Sequence, residues 1–460
     1  MRMTLLRDDP ALEQPIEDLS QFVDFFRAGE KPAAEFRIGT EHEKIAIRLE
    51  GLETVPFDGS NGIGAILAGL NQDPGFEPIY EGETLIGLLK DDASITLEPG
   101  GQLELSGAPL RTLHETCREF RAHVAQLNRV SEPLGVVWLG LGIQPLAKVQ
   151  DIPRMPRERH DLMRSFLGAR DTLGLSMMHA TGTVQANFDF SSEADVARKL
   201  RAAYAITPVV TALYANSCIS EGALNGFESF RAEIWRHTDP DRCGILPCVF
   251  EESWCEGSAY RAYTDWALDV PLMFIQRSNG YRGSPGVTFR EFLERGFDGE
   301  RATLADWNLH LTTLFPEVRL KRIIEERGAD VGPPDLICAL PALWKGVFYD
   351  AEALDLVCER TAHWGFDQVD ALHADVARRG LKAETPDGPT LELARELVAI
   401  SRAGLERIGE RNSRGETEAI FLEPLESLLQ QGRNPAQELL RRWEGPFQGR
   451  LDRLVEYARY

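Results

Sequence analysis

The stretch EFRIGTEHEKIAIRL (35–49) decides the fold, because its apolar and polar residues alternate with a period of two. That alternation is typical of a β-strand with one buried face. Successive side chains of a strand point to opposite faces, so Glu41 and Glu43 share one face while His42 points to the other. The stretch therefore predicts a strand that presents two carboxylates side by side.

Two further segments repeat this pattern. In SITLEPGGQLELS (94–106) two strand-like runs flank a Pro-Gly-Gly turn, and in VQANFDF (184–190) the apolar residues alternate with polar ones. One face of the first segment carries Gln102, Glu104 and Ser106. One face of the second carries the side chains Gln185, Asn187 and Asp189, opposite a predicted core face of Val184, Ala186, Phe188 and Phe190.

Carboxylates placed together repel one another unless a cation lies between them. Carboxylate and amide oxygens suit hard ions such as Mg²⁺ or Mn²⁺. No His/Cys group has the spacing of a zinc site. The spacing thus permits two interpretations, a divalent-metal site or strands that each have one solvated face.

Two acid–base pairs late in the chain, Glu317–Arg319 and Glu325–Arg327, are open to a similar choice. As strand pairs, each would place a carboxylate and a guanidinium on one face, which suits a phosphoryl-transfer site. As helix pairs they would be ordinary surface charges. The sequence contains neither a P-loop nor a GxGxxG fingerprint, so those modes of nucleotide binding are disfavoured.

The strand signals lie mainly in the first 290 residues and helices close the chain, which predicts an α+β fold. We expect one catalytic domain over 1–460, with a sheet-bearing core at about 35–350 and a helical part at about 351–460. Ser191 or Ser192 is the predicted cap of a helix after 190, and 380–390 is a predicted exposed loop. Residues 307–327 mix strand and helix signals and receive no assignment. The other predicted elements are a strand over 134–143 and helices over 13–29, 58–70, 112–132, 351–380, 389–413 and 434–458.

The chain has 72 Asp and Glu against 50 Lys and Arg, a formal net charge of −22. This argues against nucleic acid or an anionic membrane as a partner, because both need a basic surface. No apolar run is long enough to span a bilayer, and the N-terminal MRMTLLRDDP lacks the apolar segment of a signal peptide. The seven cysteines include no CxxC pair, which favours a reducing cytoplasm.

Several long segments resemble glutamate–cysteine ligases of the plant and proteobacterial type. They are FRIGTEHEKIAI (36–47), ITLEPGGQLELSGAPLRTLHETC (95–117), LGLSMMHATGTVQANFDFSSEAD (173–195), FESFRAEIWRHTD (227–239), YTDWALDVPLMF (263–274), HLTTLFPEVRLKRIIEERGAD (310–330) and CALPALWKGVFYD (338–350). The resemblance implies a mostly antiparallel, funnel-like sheet of the glutamine-synthetase type surrounded by helices. It also implies ATP as co-substrate, two or more Mg²⁺ ions, and L-glutamate and L-cysteine as substrates. The implied reaction joins cysteine to the γ-carboxylate of glutamate through a γ-glutamyl phosphate, the first step of glutathione synthesis.

The same resemblance assigns roles to individual positions. Arg327 and Glu43 are the implied catalytic residues, and Arg327 approaches the phosphates. The implied metal ligands are Glu41, Glu43, Glu98, Glu104, Gln185 and Glu325. Nucleotide contacts are expected from Asn187, Arg327, Arg159 and Arg164. Arg231 and Trp235 match positions that hold glutamate, and Tyr263, Met178 and Thr183 match the region that accepts cysteine.

Cys117 and Cys338 fall on the two family positions that form an intramolecular disulfide. A bond from Cys243 to Cys248 or Cys255 is the alternative pairing. Three alternative functions also stay open: a ligase with another amine acceptor, a carboxylate-rich metal-dependent hydrolase, and a non-catalytic acidic interaction protein. The protein is expected to be a monomer or a homodimer.

Overall fold

The computed structural model describes residues 12–255, 257–278, 280–284 and 286–460. The N-terminal stretch on which the signal-peptide prediction rests lies outside these residues. The helices of the described residues are α1 (Ser20–Arg27), α2 (Ile63–Leu70), α3 (Leu113–Ser131), α4 (Glu158–Leu167), α5 (Gly174–Ala180), α6 (Glu193–Tyr214), α7 (Phe230–Arg236), α8 (Ala259–Asp269), α9 (Phe289–Arg295), α10 (Leu304–Leu311), α11 (Pro334–Phe348), α12 (Ala351–Thr361), α13 (Phe366–Arg379), α14 (Thr390–Ile408), α15 (Glu423–Gln430), α16 (Pro435–Glu444) and α17 (Leu451–Ala458).

The strands are short apart from β1. They are β1 (Ile38–Arg48), β2 (Glu53–Thr54), β3 (Glu77–Glu81), β4 (Thr84–Lys90), β5 (Ala93–Leu97), β6 (Leu103–Ser106), β7 (Val136–Leu139), β8 (Thr183–Phe188), β9 (Ile219–Ser220), β10 (Ala223–Leu224), β11 (Cys243–Gly244), β12 (Phe274–Arg277), β13 (Gly280–Gly283), β14 (Phe315–Pro316), β15 (Val318–Leu320), β16 (Ile324–Asp330), β17 (Glu384–Thr385) and β18 (Gly388–Pro389).

A ten-stranded antiparallel sheet organises the molecule. Its main path runs β15-β16-β8-β1-β6-β5-β4-β3, and β2 and β7 pair with the second half of β1. Strand β1 therefore lies between β6 and β8 along its first half and crosses to other partners along its second half. The three predicted carboxylate- and amide-bearing strands are adjacent in this sheet. The predicted α+β class with a mostly antiparallel sheet is confirmed.

The alternation along these strands sets which face is buried. His42, Val184 and Ala186 are fully buried on the face that packs against helices α3, α6 and α11. Helix α6 begins after Ser192, whose hydroxyl accepts the Asp195 N–H, as the sequence predicts. The opposite face of β1, β6 and β8 carries the polar side chains. Packing of the apolar face therefore turns the polar face toward a cavity.

The apolar core continues into the C-terminal helices. One cluster of buried side chains extends from Ile16 to Leu429, and α14 packs directly on α11. Helix α11 in turn packs on β8, so the C-terminal helices support the central sheet from behind. None of the helices in the described ranges is long and apolar enough to cross a membrane.

Some predicted elements differ in the structure. The first helix begins only at Ser20, and the helices predicted over 351–380 and 434–458 are each divided into two. The predicted exposed loop at 380–390 instead contains the hairpin β17–β18, with Leu381 and Thr385 buried. The unassigned segment 307–327 holds the end of α10 followed by β14, β15 and the start of β16, which explains its mixed signal.

Candidate active site

A cavity with two lobes opens on the polar face of the central strands. The larger lobe has a volume of about 230 Å³ and the smaller lobe about 150 Å³. Glu41, Glu98 and Glu104 line both lobes on one side, and Arg159 and Arg319 line both on another. The cavity is therefore walled by carboxylates and guanidinium groups together, inside a protein of strongly negative net charge.

The sheet register aligns the carboxylates. Glu43 of β1 lies directly opposite Glu104 of β6, and Glu41 lies opposite Gln185 of β8. Polar neighbours hold three of these groups in place. The Asn187 side-chain amide donates to Glu41 at 2.8 Å, the Thr183 backbone N–H donates to Glu43 at 3.0 Å, and the Ser106 hydroxyl donates to Glu104 at 2.8 Å.

Burial and mutual repulsion perturb these carboxyl groups strongly. The pKa of Glu41 is raised to about 7 by burial and by the nearby Glu325 and Glu104. Burial and Glu98 raise the pKa of Glu104 to about 7. The pKa of Glu43 lies well above its usual range because of burial, Glu98 and Glu104. Four acids thus face one another at a cost that a bound cation would relieve.

The donor chemistry of Glu41, Glu43, Glu98 and Glu104 fits a hard divalent ion, because all their side-chain donors are carboxylate oxygens. Among the residues that the structure describes, no three acidic, His or Cys side chains are close enough around one point to form a complete metal-ligand group. The fit to a divalent ion therefore rests on the oxygen donors of these four acids and on the repulsion between their charges.

Glu325 differs from the other implied metal ligands in the charges that surround it. Its two carboxylate oxygens are bound by Arg319 at 2.7 Å, Lys321 at 2.8 Å and Arg327 at 2.5 Å. Burial alone would raise its pKa, but these three cations hold it well below the usual range. In this arrangement the lone pairs of Glu325 accept from three cations, and its role as a metal ligand stays a prediction.

Gln185 also contacts a cation, and its role as a metal ligand likewise stays a prediction. Its side-chain oxygen accepts from the Arg327 guanidinium at 2.7 Å. That oxygen is the atom a metal ion would need, since the amide nitrogen has no free lone pair. Gln185 and Glu325 thus orient Arg327, which lines the smaller lobe.

Four basic residues of the larger lobe, Lys31, Arg37, Arg157 and Lys321, are absent from the sequence predictions. The larger lobe is lined by the six basic side chains Lys31, Arg37, Arg157, Arg159, Arg319 and Lys321. Arg319 and Lys321 follow one another with a period of two in VRLK, a strand signal within the unassigned segment. The strand interpretation that the sequence leaves open for Glu317–Arg319 also places Lys321 on the same face as Arg319. Of the two arginines predicted by resemblance, Arg159 lines both lobes.

The smaller lobe brings together three of the predicted substrate residues. Trp235, Met178 and Thr183 line it, together with Met177, Thr181 and Phe315. Arg231 and Trp235 lie one turn apart on α7, as their spacing predicts for a helix. The Arg231 guanidinium lies 5.5 Å from the Trp235 ring and donates to the backbone oxygen of Arg327 at 2.7 Å. Arg231 is buried behind Trp235 and is not among the residues that line either lobe.

Two predicted site residues lie away from the cavity. Tyr263 is fully buried in the apolar core against Phe26, and its hydroxyl accepts the backbone N–H of Leu320 at 3.1 Å. Arg164 on α4 contacts the His179 ring at 2.7 Å and lines neither lobe. Neither position supports direct contact with a substrate, so both assignments are corrected.

Cys117 on α3 and Cys338 on α11 face each other in the core. Their Cα atoms are 5.7 Å apart, within the range that a disulfide requires. The alternative partners Cys243, Cys248 and Cys255 are free thiols in the structure.

The site combines a carboxylate wall, a cationic wall and two adjoining lobes on an antiparallel sheet. These features suit an enzyme that transfers a phosphoryl group to an acid. Residues 37–457 match the family model described as glutamate–cysteine ligase family 2. The chain therefore belongs to the glutamate–cysteine ligase family 2. As such it is an ATP-dependent ligase that forms γ-glutamylcysteine in glutathione biosynthesis.

Individual relatives agree with this result. The chain is 42% identical over 95% of its length to a protein named chloroplastic glutamate–cysteine ligase of Medicago truncatula, and covers 84% of that protein. It is 43% identical over 96% of its length to the Arabidopsis thaliana protein of the same name, and covers 83% of it. A solved glutamate–cysteine ligase of Francisella tularensis, in complex with AMP, shares the fold with a TM-score of 0.55 at 15% identity, over 91% of this chain and 88% of that one.

Proposed function

We propose that the two-lobed cavity is the site of both half-reactions of the ligase. The observation that carries this proposal is the cavity itself, in which the carboxylates of β1 and β6 face the basic side chains of β15 and β16. A γ-carboxylate oxygen of glutamate attacks the γ-phosphorus of ATP, and the bond to the β–γ bridging oxygen breaks to release ADP. The cysteine amine then attacks the acyl carbon, the bond to the phosphate oxygen breaks, and phosphate leaves while the amine loses a proton.

The larger lobe is proposed to take the triphosphate of ATP. Its six basic side chains supply the positive charge that a polyphosphate needs within an acidic protein. Arg319 and Lys321 are held in place by Glu325, so their charged ends are oriented before a ligand arrives. Asn187 lines the same lobe and has a side-chain oxygen with no hydrogen-bond partner among the described residues. It is proposed as a nucleotide contact.

Glu41, Glu43, Glu98 and Glu104 are proposed to hold Mg²⁺, with Mn²⁺ as a possible substitute. A bound divalent ion would neutralise phosphate charge during phosphoryl transfer. Two or more ions are proposed, because four facing carboxylates carry more charge than one ion neutralises. The raised pKa values of Glu41 and Glu104 support this assignment.

The smaller lobe is proposed to hold the amino-acid substrates. Arg327 projects into it, held by Gln185 and Glu325, and can stabilise charge on the acyl phosphate. Met177 and Met178 offer a polarizable, uncharged wall suited to a thiol side chain. Trp235 covers Arg231, so we propose that the indole ring meets glutamate and that Arg231 acts through it.

A Cys117–Cys338 disulfide is proposed from the short distance between the two Cα atoms. Alkylation followed by mass spectrometry tests it: five thiols should react in the unfolded oxidised protein and all seven after reduction. Reaction of all seven without reductant would contradict the bond.

A cytoplasmic location and a monomeric or homodimeric state also remain proposals.

The decisive experiment measures ADP release with each substrate omitted in turn. The proposal requires that release depend on Mg²⁺, glutamate and cysteine together, and that γ-glutamylcysteine appear in equal amount. Other amines offered in place of cysteine test the acceptor. Metal-dependent hydrolysis without ATP would instead favour the hydrolase alternative.

A further inference from the structure

Asp330, the last residue of β16, is a buried carboxylate outside the cavity. It is 1% exposed and lies three residues after Arg327 on the same strand. Among the described residues, it forms no ion pair at contact distance, and its three partners are hydrogen-bond donors. Its two oxygens accept from the Asn216 backbone N–H at 2.8 Å, the Ser217 hydroxyl at 2.6 Å and the Ser229 hydroxyl at 2.8 Å.

The hydroxyls of Ser217 and Ser229 also bind the first turn of α7. The Ser217 oxygen accepts the Arg231 backbone N–H at 3.0 Å, and the Ser229 oxygen accepts the Ala232 N–H at 3.1 Å. These backbone groups have no partner within the helix, because the first N–H groups of any helix lack one. Ser229 alone would be an ordinary N-cap. Ser217 comes from a separate loop, so Asp330 connects two chain segments to one helix end.

Helix α7 carries the residues that back the smaller lobe. Trp235 lies between two guanidinium groups, 5.5 Å from that of Arg231 and 5.6 Å from that of Arg327. Arg231 also donates to the backbone oxygen of Arg327 at 2.7 Å. Strand β16 therefore holds α7 at two points, through Arg327 near the cavity and through Asp330 at the helix start.

Asp330 also reaches the acidic wall through the sheet. In the register of β16 and β8 it lies opposite Thr183, whose N–H donates to the Glu43 carboxylate at 3.0 Å. Space around Asp330 is closed, because a Cβ added at Gly142 would lie 2.6 Å from its carboxyl carbon. The carboxylate is thus fixed relative to the start of α7, and the backbone of Asp330 is fixed relative to β8.

We propose that Asp330 is a positioning residue for the glutamate side of the site, acting through Ser217 and Ser229 on the placement of Arg231 and Trp235. Three donors converge on this single group. Without the Asp330 carboxylate, α7 keeps a helical sequence, but the position of its first turn is no longer fixed. The inference rests on the proposed function of the smaller lobe, and its consequence is specific to one substrate.

The test compares S217A, S229A and D330N with wild type in steady-state kinetics, varying glutamate, cysteine and ATP separately. Each serine variant should raise the KM for glutamate about fivefold, because the hydroxyl's hydrogen bond to Asp330 and its hydrogen bond from α7 are both lost. D330N should raise it about tenfold or more, because a charge-assisted acceptor is lost. The KM values for ATP and cysteine and the kcat should change less than the KM for glutamate.

Two further variants separate positioning from general stability. S192A removes the N-cap of α6, which is unconnected to Asp330, and should lower Tm without changing the KM for glutamate. S229T keeps a capping hydroxyl and should restore the glutamate KM lost in S229A.

The proposal is overturned if the three relay variants lower Tm but leave the glutamate KM unchanged, or if they raise all three KM values equally. The serine variants keep the test usable if D330N does not fold. Absence of glutamate-dependent ADP release in the wild type would instead refute the proposed function itself. The two failures are therefore distinguishable.

Discussion

Glu43 and Glu104 lie directly opposite each other on adjacent strands, with Glu41 and Glu98 close enough to perturb them. Such an arrangement is unfavourable for four ionised acids alone, since like charges in a buried site repel. Packing of the sheet's other face against helices offsets this repulsion and keeps the acids together.

The contribution of Glu41 and Glu104 to the stability of the metal-free protein should fall between about pH 4.5 and about pH 7. The pKa values of Glu41 and Glu104 are raised from 4.5 to about 7, so the folded protein retains protons that the unfolded chain releases in this interval. The stabilisation from these protons is complete below about pH 4.5 and is lost as the pH approaches 7. Mg²⁺ competes with those protons, so it should raise Tm more at about pH 8 than at about pH 6. Thermal melts with MgCl₂, and with KCl at equal ionic strength, measure this. Equal Mg²⁺ effects at both pH values would contradict it.

E104Q should raise the Mg²⁺ concentration needed for half-maximal activity by at least about tenfold, because an amide replaces a charged oxygen donor. E77Q is the matched control, since Glu77 is exposed on the edge strand β3 of the same sheet. Titration of ADP release against Mg²⁺ provides the measurement. An unchanged titration for E104Q would remove this residue from the metal site.

K321M should raise the KM for ATP about tenfold, with a smaller effect on the KM for cysteine. The substitution removes a cation that lines the larger lobe and also removes one of the three cations that bind Glu325. K382M removes an exposed lysine of the C-terminal helical part and serves as control. If both variants have the wild-type KM for ATP, the larger lobe does not bind the triphosphate.

Y263F should leave the KM for cysteine unchanged and lower the stability by about 1 kcal/mol. The Tyr263 hydroxyl accepts the Leu320 N–H within the core, so its loss removes a structural hydrogen bond. Kinetics combined with chemical denaturation separate the two effects. A selective rise in the cysteine KM would return Tyr263 to the substrate site.

The sequence could predict which strands carry the acids, because alternation in 35–49, 94–106 and 184–190 states the facing of each side chain. It could not predict what each acid contacts. Glu325 and Glu41 both point to the polar face of their strands, yet Glu325 accepts from three cations while Glu41 faces other acids. That difference depends on pairing between strands far apart in the chain.

The burial of aromatic side chains is equally hard to predict from the sequence. The resemblance assigns both Tyr263 and Trp235 to substrates, but only the indole of Trp235 reaches the cavity. The segment 307–327 received no assignment because α10 ends and β14 begins within a few residues of each other. The strand and helix interpretations of Arg319 therefore stay open in the sequence, and Lys321, which also lines the larger lobe, is missed.

The strand order has a consequence for how the protein acquires activity. Strand β1 pairs with β8 well over a hundred residues later, and β8 pairs with β16 at a similar remove, so each wall of the site comes from a different part of the chain. Contacts of such long sequence separation form slowly, because the loops between them must close first. A chain emerging during synthesis holds its acids long before the strand that brings Arg327 exists. We therefore expect catalytic competence to appear only after residue 330 has joined the sheet, with no partly active shorter form.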